Sequence, residues 1–176
     1  MKTYIAISGS LRKDSYNTHL LKAAQEVAGE GVTIEIFDIS PLPFYSQDIE
    51  APFPEVAQTL KGKIESSDGV IFATPEYNRS IPGVLKNAID WASRPWGKNS
   101  FNGKPVLVLG ASVAPTSTAL AQYHLKQVMN YLNAKVIGQP EFYMGPAQEK
   151  FDATGKLTDE HTRESLKKAI DVLTSM

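Results

Sequence analysis

Residues 4–27 read YIAISGSLRKDSYNTHLLKAAQEV and contain the repeating unit that decides the fold. Residues 4–7 form an uninterrupted apolar run, which is typical of a buried strand. Residues 18–27 instead place their apolar side chains at helical spacing, and Gly29 and Gly31 then end the helix. The segment therefore predicts a strand, a polar loop and a helix, in that order.

The same unit recurs along the rest of the chain. Strands are predicted at residues 32–39, 69–74, 105–109 and 135–137, and helices at 56–66, from Pro82 to 92, at 119–132 and at 158–173. Most of these strands are apolar without strict alternation, which indicates burial on both faces. Alternating strands and helices predict a parallel sheet covered by helices on each side, in a single domain of residues 1–176. Residues 41–54, with four prolines, are predicted to form an irregular connection.

Composition excludes several classes of function. The 176 residues include no cysteine, which rules out disulfides, thiolate nucleophiles, iron–sulfur clusters and thiolate zinc sites. The net charge of −1 and the lack of a basic stripe predict no nucleic-acid partner. No apolar run is long enough to span a membrane, and the N-terminus lacks a signal-peptide cleavage site, so we predict no membrane association and a cytoplasmic location. The three histidines form no metal-ligand pattern, and no metal is predicted.

Three loops that follow strands are rich in hydroxyls, amides and turn residues. They are residues 8–18, 74–80 and 110–117. In open parallel sheets, ligands bind beyond the carboxyl ends of the strands, where the strand order reverses. The three loops are therefore predicted to converge on one ligand site.

The first loop carries groups that bind phosphate. They are the hydroxyls of Ser8, Ser10, Ser15 and Thr18, the Asn17 amide and the Arg12 guanidinium. The loop enters a helix N-terminus, where free N–H groups and the helix dipole favour an anion. A capped helix with a solvated loop is an equal alternative from the loop alone, and the position after the first strand favours phosphate. The chain has neither a Gly-x-x-x-x-Gly-Lys nor a Gly-x-Gly-x-x-Gly motif, which disfavours a nucleotide triphosphatase and a dinucleotide fold.

Two stretches resemble the signatures of the NADPH-dependent FMN reductase family, which includes quinone, azo and chromate reductases. They are GSLRKDSYN at residues 9–17 and TPEYNRSIPGVLKNAIDW at residues 74–91. The resemblance covers nearly the whole chain, and the second stretch is the more specific. It implies a flavodoxin-like α/β sandwich of three layers, with a five-stranded parallel sheet of order 2-1-3-4-5 and helices on both faces.

The resemblance also implies a cofactor site for FMN, with NADPH or NADH as the electron donor. It implies that the FMN phosphate is held by Ser10, Arg12, Ser15, Asn17 and Thr18. It implies that the isoalloxazine ring is wrapped, through backbone and side-chain contacts, by Pro75, Glu76, Tyr77 and Asn78. Ser112 is expected near the ribityl chain or the ring edge. No catalytic acid or base is assigned, because the flavin itself carries the redox chemistry.

The implied function is transfer of electrons from a reduced nicotinamide, through bound flavin, to quinones or similar small acceptors. Family members are usually dimers or tetramers, so a homodimer or homotetramer is expected. Two alternatives stay open: a flavodoxin-like one-electron carrier, and an FMN-binding protein without turnover. The stretch after the fourth strand departs from the family pattern, because Leu120 stands where an arginine is common.

Overall fold

One parallel sheet forms the centre of the molecule. The computed structural model describes residues 1–176, and its strands are β1 (Lys2–Ser8), β2 (Val32–Phe37), β3 (Gly69–Ala73), β4 (Pro105–Ala111), β5 (Lys135–Val136) and β6 (Phe142–Met144). The strand order is β2-β1-β3-β4-β5, and β6 also pairs with β4. All pairs are parallel. The predicted flavodoxin-like order is confirmed.

Helices cover both faces of this sheet. They are α1 (Tyr16–Val27), α2 (Glu55–Ser66), α3 (Gly83–Ala92), α4 (Ala119–Tyr131) and α5 (Glu160–Ser175). One buried cluster packs α1 and α5 against the sheet, and a second packs α2, α3 and α4 against the opposite face. The two separate clusters make the predicted three layers. None of the five helices combines the length and the apolar character needed to cross a membrane.

The sheet edge beside β4 differs from the prediction of one short fifth strand at residues 135–137. β5 contains two residues, which pair with the start of β4, and β6 pairs with the end of β4 through Leu109–Phe142 and Ala111–Met144. Pro140 lies between the two strands. Proline has no N–H to donate to the ladder, so this edge strand is interrupted and then resumes.

Two helix starts also differ from the prediction. α1 begins at Tyr16 rather than at residue 18, because Ser15 caps it. α5 begins at Glu160 rather than at residue 158, and Asp159 caps it. The Asp159 carboxylate accepts a hydrogen bond from the backbone N–H of Thr162 at 2.9 Å, which satisfies a free donor of the first turn.

The proline-rich connection before α2 is irregular, as predicted, apart from a 3₁₀ turn at Gln47–Ile49. It is fastened to α3. The carbonyl of Pro43 accepts hydrogen bonds from Asn87 Nδ2 at 2.9 Å and from Trp91 Nε1 at 2.7 Å. The backbone N–H of Tyr45 donates to Asn87 Oδ1 at 2.8 Å. Asn87 and Trp91 therefore hold this long loop in place.

Candidate active site

The ends of β1, β3 and β4 meet at one edge of the sheet, as predicted. A Cβ built on Gly9, after β1, would lie 3.1 Å from the Pro75 ring and 3.1 Å from Leu85. The N–H of Gly9 donates to the carbonyl of Ala73 at 2.8 Å, and the N–H of Thr74 donates to the carbonyl of Leu109 at 3.0 Å. The close approach at Gly9 brings the loop after β1 directly against the loop after β3.

The phosphate loop, defined here as residues 9–18, is held in shape by its own hydroxyls. Ser15 Oγ accepts from the Asn17 N–H at 3.2 Å and so caps α1. Ser10 Oγ accepts from the Arg12 N–H at 3.3 Å. Thr18 Oγ1 donates to Ser8 Oγ at 3.0 Å, beneath the loop. These hydroxyl hydrogen bonds therefore fix the conformation of the loop at the N-terminus of α1.

The electrostatics of the phosphate loop favour an anion. α1 has 12 residues and no acidic side chain in its first turn, so its positive end is not neutralised from within the helix. The Arg12 side chain is exposed, and its guanidinium lies over the Tyr16 ring, 5.3 Å from the centroid. A cavity of about 260 Å³ adjoins the loop, and its lining includes Arg12 and His19 together with the carboxylates of Asp14 and Asp152. Burial, followed by the charge of Lys22, lowers the pKa of His19, so that side chain favours its neutral form.

The Asn17 amide, which is predicted to contact the phosphate, is bonded to the end of β4. Its Nδ2 donates to the Ala111 carbonyl at 3.0 Å, and its Oδ1 accepts from the Ala111 N–H at 3.0 Å. Asn17 is buried, and the bonds join the start of α1 to the end of β4. The reason is that the last residue of β4 has backbone groups that must be satisfied once they are buried.

The ring loop, defined here as residues 74–80, ends in a tight turn. The N–H of Tyr77 donates to the Ser80 carbonyl and the N–H of Ser80 donates to the Tyr77 carbonyl, each at 3.0 Å. The two central residues, Asn78 and Arg79, have φ of 52° and 65°. These are the angles of a type I′ turn, which reverses the chain in two residues. Tyr77, Asn78 and Arg79 are exposed on this turn.

Glu76 anchors the ring loop to α4. Its Oε2 accepts from the N–H of Leu120 at 3.0 Å and from the N–H of Ala121 at 3.1 Å. The side chain is only 12% exposed. Thr118, the residue at the cap position of α4, makes no capping hydrogen bond with its own side chain. The Glu76 carboxylate therefore caps α4 from a distant loop.

The loop after β4 is fixed to the interrupted edge of the sheet. The N–H of Ser112 donates to the Met144 carbonyl at 2.9 Å, and Ser112 Oγ accepts from the Ala114 N–H at 3.1 Å. Ser117 Oγ donates to the same Met144 carbonyl at 2.9 Å. β6, which the sequence did not predict as a separate strand, thus positions Ser112.

A cavity of about 1220 Å³ lies along α3 and α4. This α3–α4 groove begins at Ser80, at the end of the ring loop, and runs to Trp96 and Tyr131. Trp96 is 81% exposed and Tyr131 is 77% exposed. His124 Nδ1 lies 3.2 Å from Ser80 Oγ at the end nearest the ring loop. Trp96 therefore lies on the wall of this groove.

The residues present fit FMN at the strand-end site. A phosphate monoester needs hydrogen-bond donors and positive charge, which the α1 N-terminus and Arg12 supply. The ring loop supplies exposed backbone next to the phosphate loop, because Gly9 permits the two loops to touch. No group of three or more metal-ligating side chains is present.

The strand order, the phosphate loop after β1 and the exposed ring loop after β3 define a flavodoxin-like oxidoreductase. A solved structure of the FerB flavoenzyme, an NAD(P)H:(acceptor) oxidoreductase from Paracoccus denitrificans, superposes with a TM-score of 0.93 at 42% identity, over 99% of this chain and 96% of that one. The model of the NADPH-dependent FMN reductase family matches residues 3–149. The chain belongs to this family.

Characterised relatives agree with that assignment. A 2-hydroxy-1,4-benzoquinone reductase of a Burkholderia species is 46% identical over 165 residues, which are 94% of this chain and 90% of the relative. An NAD(P)H-dependent FMN reductase of Pseudomonas aeruginosa is 45% identical over 170 residues, 96% of this chain and 91% of the relative. The predicted family is confirmed, and with it an oxidoreductase of the class that uses FMN and reduced nicotinamide.

Proposed function

We propose that the protein is an FMN-dependent NAD(P)H oxidoreductase that reduces quinones or similar small acceptors. The observation that carries the proposal is the contact of the phosphate loop with the ring loop at Gly9, beside the N-terminus of α1, whose first turn carries no acidic side chain. The phosphate loop would supply the phosphate site, and the ring loop would supply an exposed backbone edge beside it. The relatives named as quinone reductases support the choice of acceptor.

The phosphate loop would hold the FMN phosphate through three kinds of group. Free N–H groups of the first turn of α1 and the hydroxyls of Ser10 and Ser15 would donate hydrogen bonds, and Arg12 would add a paired, charge-assisted contact. Thr18 and Asn17 would act by supporting the phosphate loop. Thr18 supports the loop through Ser8, and Asn17 locks the loop to the end of β4.

The ring loop would hold the isoalloxazine. Pro75 fixes the entry into the loop, and the backbone of Glu76, Tyr77 and Asn78 would meet the polar edge of the ring. Glu76 contributes through its backbone, because its carboxylate caps α4. Ser112 would lie at the ribityl chain or the ring edge. Bound FMN supplies hydride acceptance and electron delivery, and the protein supplies orientation and a defined access face.

The test is a spectrum of the purified protein loaded with FMN. NADPH added without oxygen is expected to bleach the flavin absorbance, and a benzoquinone is expected to restore it. Arg12→Ala should weaken FMN binding at least about tenfold, the loss expected for one charge-assisted hydrogen bond. Arg163→Ala is the matched control, because it also removes an arginine, one that lies on α5 and forms an ion pair with Glu26 of α1. A protein that cannot be loaded with FMN refutes the proposal.

The same experiment separates the two alternatives. A one-electron carrier would bind FMN, accumulate a long-lived one-electron state during titration and ignore nicotinamides. A binding protein without turnover would take up FMN and reduce no acceptor. Direct two-electron reduction by NADPH followed by reoxidation with quinone excludes both.

The proposal includes a homodimer formed through the α3–α4 groove. Trp96 and Tyr131 expose large aromatic surfaces there, and exposed aromatic residues are enriched at protein interfaces. Sedimentation of the native protein and of Tyr131→Asp tests this, and a monomeric native protein refutes it.

The predictions of a homotetramer, of a cytoplasmic location and of one domain over residues 1–176 also stay proposals, to be tested by sedimentation, cell fractionation and cooperative unfolding.

A further inference from the structure

The turn that ends the ring loop has an unusual residue at its tip. We propose that Arg79 binds a phosphate group of the reduced nicotinamide donor, an inference that rests on the proposed function. The phosphate is either the 2′-phosphate of NADPH or the pyrophosphate that NADPH and NADH share. Both offer the same oxygen acceptors to a guanidinium.

The turn geometry gives the first reason. A type I′ turn needs positive φ at both central residues, and asparagine followed by glycine is the favoured pair. The first central residue is Asn78, as expected, but the second is Arg79, with φ of 65°. A side chain with a Cβ is disfavoured in this conformation, and sparsely populated backbone conformations concentrate at functional sites. An arginine in a position that suits glycine indicates that its side chain has a use.

The available charge gives the second reason. Arg79 Nη1 lies 3.5 Å from Glu76 Oε1, and Arg79 is 74% exposed. The other Glu76 oxygen is bonded to the N-terminus of α4. The next cation along the chain, Lys86, is bonded to both oxygens of Asp90 at 2.9 and 3.0 Å. Arg79 has five N–H donors and one long carboxylate contact, so most of its donors face solvent.

The position gives the third reason. Arg79 follows Tyr77 and Asn78, the residues proposed to hold the flavin ring, on a turn closed by two backbone hydrogen bonds. A nicotinamide that delivers hydride to the ring must lie at its exposed face, and its phosphates extend outward from there. A rigid turn that carries a guanidinium beside the ring can orient such a ligand, because less side-chain and loop freedom is lost on binding.

The experiment uses Arg79→Gly and Arg79→Lys, with Arg163→Ala as the control. Glycine suits the turn, so Arg79→Gly should fold with an unchanged or raised melting temperature and an unchanged FMN affinity. We expect it to raise KM for the donor about tenfold, the loss of one charge-assisted contact, while KM for benzoquinone stays constant. Arg79→Lys should recover part of the loss, since lysine keeps the charge without the paired donors.

Comparing KM for NADPH with KM for NADH distinguishes the two phosphate groups that Arg79 could bind. A rise in KM for NADPH alone assigns Arg79 to the 2′-phosphate, and an equal rise for NADPH and NADH assigns it to the pyrophosphate. Calorimetric titration with adenosine 2′,5′-bisphosphate and with ADP repeats the comparison without turnover. A 2′-phosphate role weakens only the first ligand in Arg79→Gly, and a pyrophosphate role weakens ADP, the only one of the two that carries a diphosphate.

Three results would overturn the proposal. They are KM values for both donors within twofold of wild type, unchanged affinity for both nucleotide probes, and a loss of FMN that accounts for the whole effect. If the wild-type protein oxidises neither donor, the proposed function fails first. The nucleotide titrations then still measure whether Arg79 binds phosphate.

Discussion

Replacing Glu76 by alanine removes the carboxylate that caps α4 from the ring loop. Two backbone donors, at Leu120 and Ala121, lose their acceptor at 3.0 and 3.1 Å. Loss of a helix cap costs about 1 kcal/mol. Loss of a negative charge at a partly buried helix N-terminus adds up to about 1 kcal/mol. We therefore expect Glu76→Ala to lower the free energy of unfolding by about 2 kcal/mol.

The assay is urea and thermal unfolding of wild type and variants. For a chain of this length, about 2 kcal/mol corresponds to a fall in melting temperature of about 4–8 °C. Glu76→Gln keeps an oxygen acceptor and loses the charge, so it should show about half the effect. Asp171→Asn is the control, because Asp171 pairs with Lys167 on the surface of α5 and should change stability by less than about 0.5 kcal/mol.

A Glu76→Ala protein within about 0.5 kcal/mol of wild type would refute the capping role. Equal losses in Glu76→Ala and Glu76→Gln would instead assign the whole effect to charge. Because the same residue anchors the ring loop, FMN affinity should fall severalfold in Glu76→Ala. Unchanged FMN affinity in a destabilised protein would show that the ring loop is held by other contacts.

Three further perturbations test the fold around the site. Gly110→Ala places a Cβ against Thr118 Oγ1 and should lower the free energy of unfolding by about 3 kcal/mol. A urea midpoint equal to that of wild type would contradict the close packing of α4 on β4. Asn17→Ala leaves both backbone groups of Ala111 without their side-chain partner and should cost about 3 kcal/mol by the same assay, and a loss near zero would contradict this. Hydrogen bonds from Thr162 and then from Lys150 lower the pKa of Asp159 from 3.8 to about 2. The ionised Asp159 carboxylate therefore stabilises the folded protein fully above about pH 4, and this stabilisation is lost as the pH falls through 2. The gap in urea midpoint between wild type and Asp159→Asn should therefore narrow from pH 5 to pH 2, and a constant gap would contradict this.

The sheet and its helices could be predicted because their signals are local. Apolar strand runs and helical spacing are visible within single segments, and the long ring-loop motif identifies the family without any structure. The phosphate loop is equally local, since Ser10, Arg12 and Ser15 lie within six residues at one helix N-terminus.

The contacts that position the site were not predictable, because they join distant segments. Asn17 meets Ala111 across 94 residues, and Glu76 meets Leu120 across 44. As isolated residues, both looked like ligand-binding groups. β6 is three residues long, too short for a periodic signal, and only its pairing with β4 defines it.

The interrupted strand beside β4 also affects how copies of the protein can meet. A long, uninterrupted outer strand offers unpaired N–H and C=O groups to another chain and invites edge-to-edge aggregation. Here the outermost strand is broken at Pro140 into segments of two and three residues. The opposite outer strand, β2, carries Glu35, which pairs with Lys63 at 2.9 Å. Neither border is a good template for continuing the sheet into a neighbouring molecule, so fibre growth by strand addition is disfavoured.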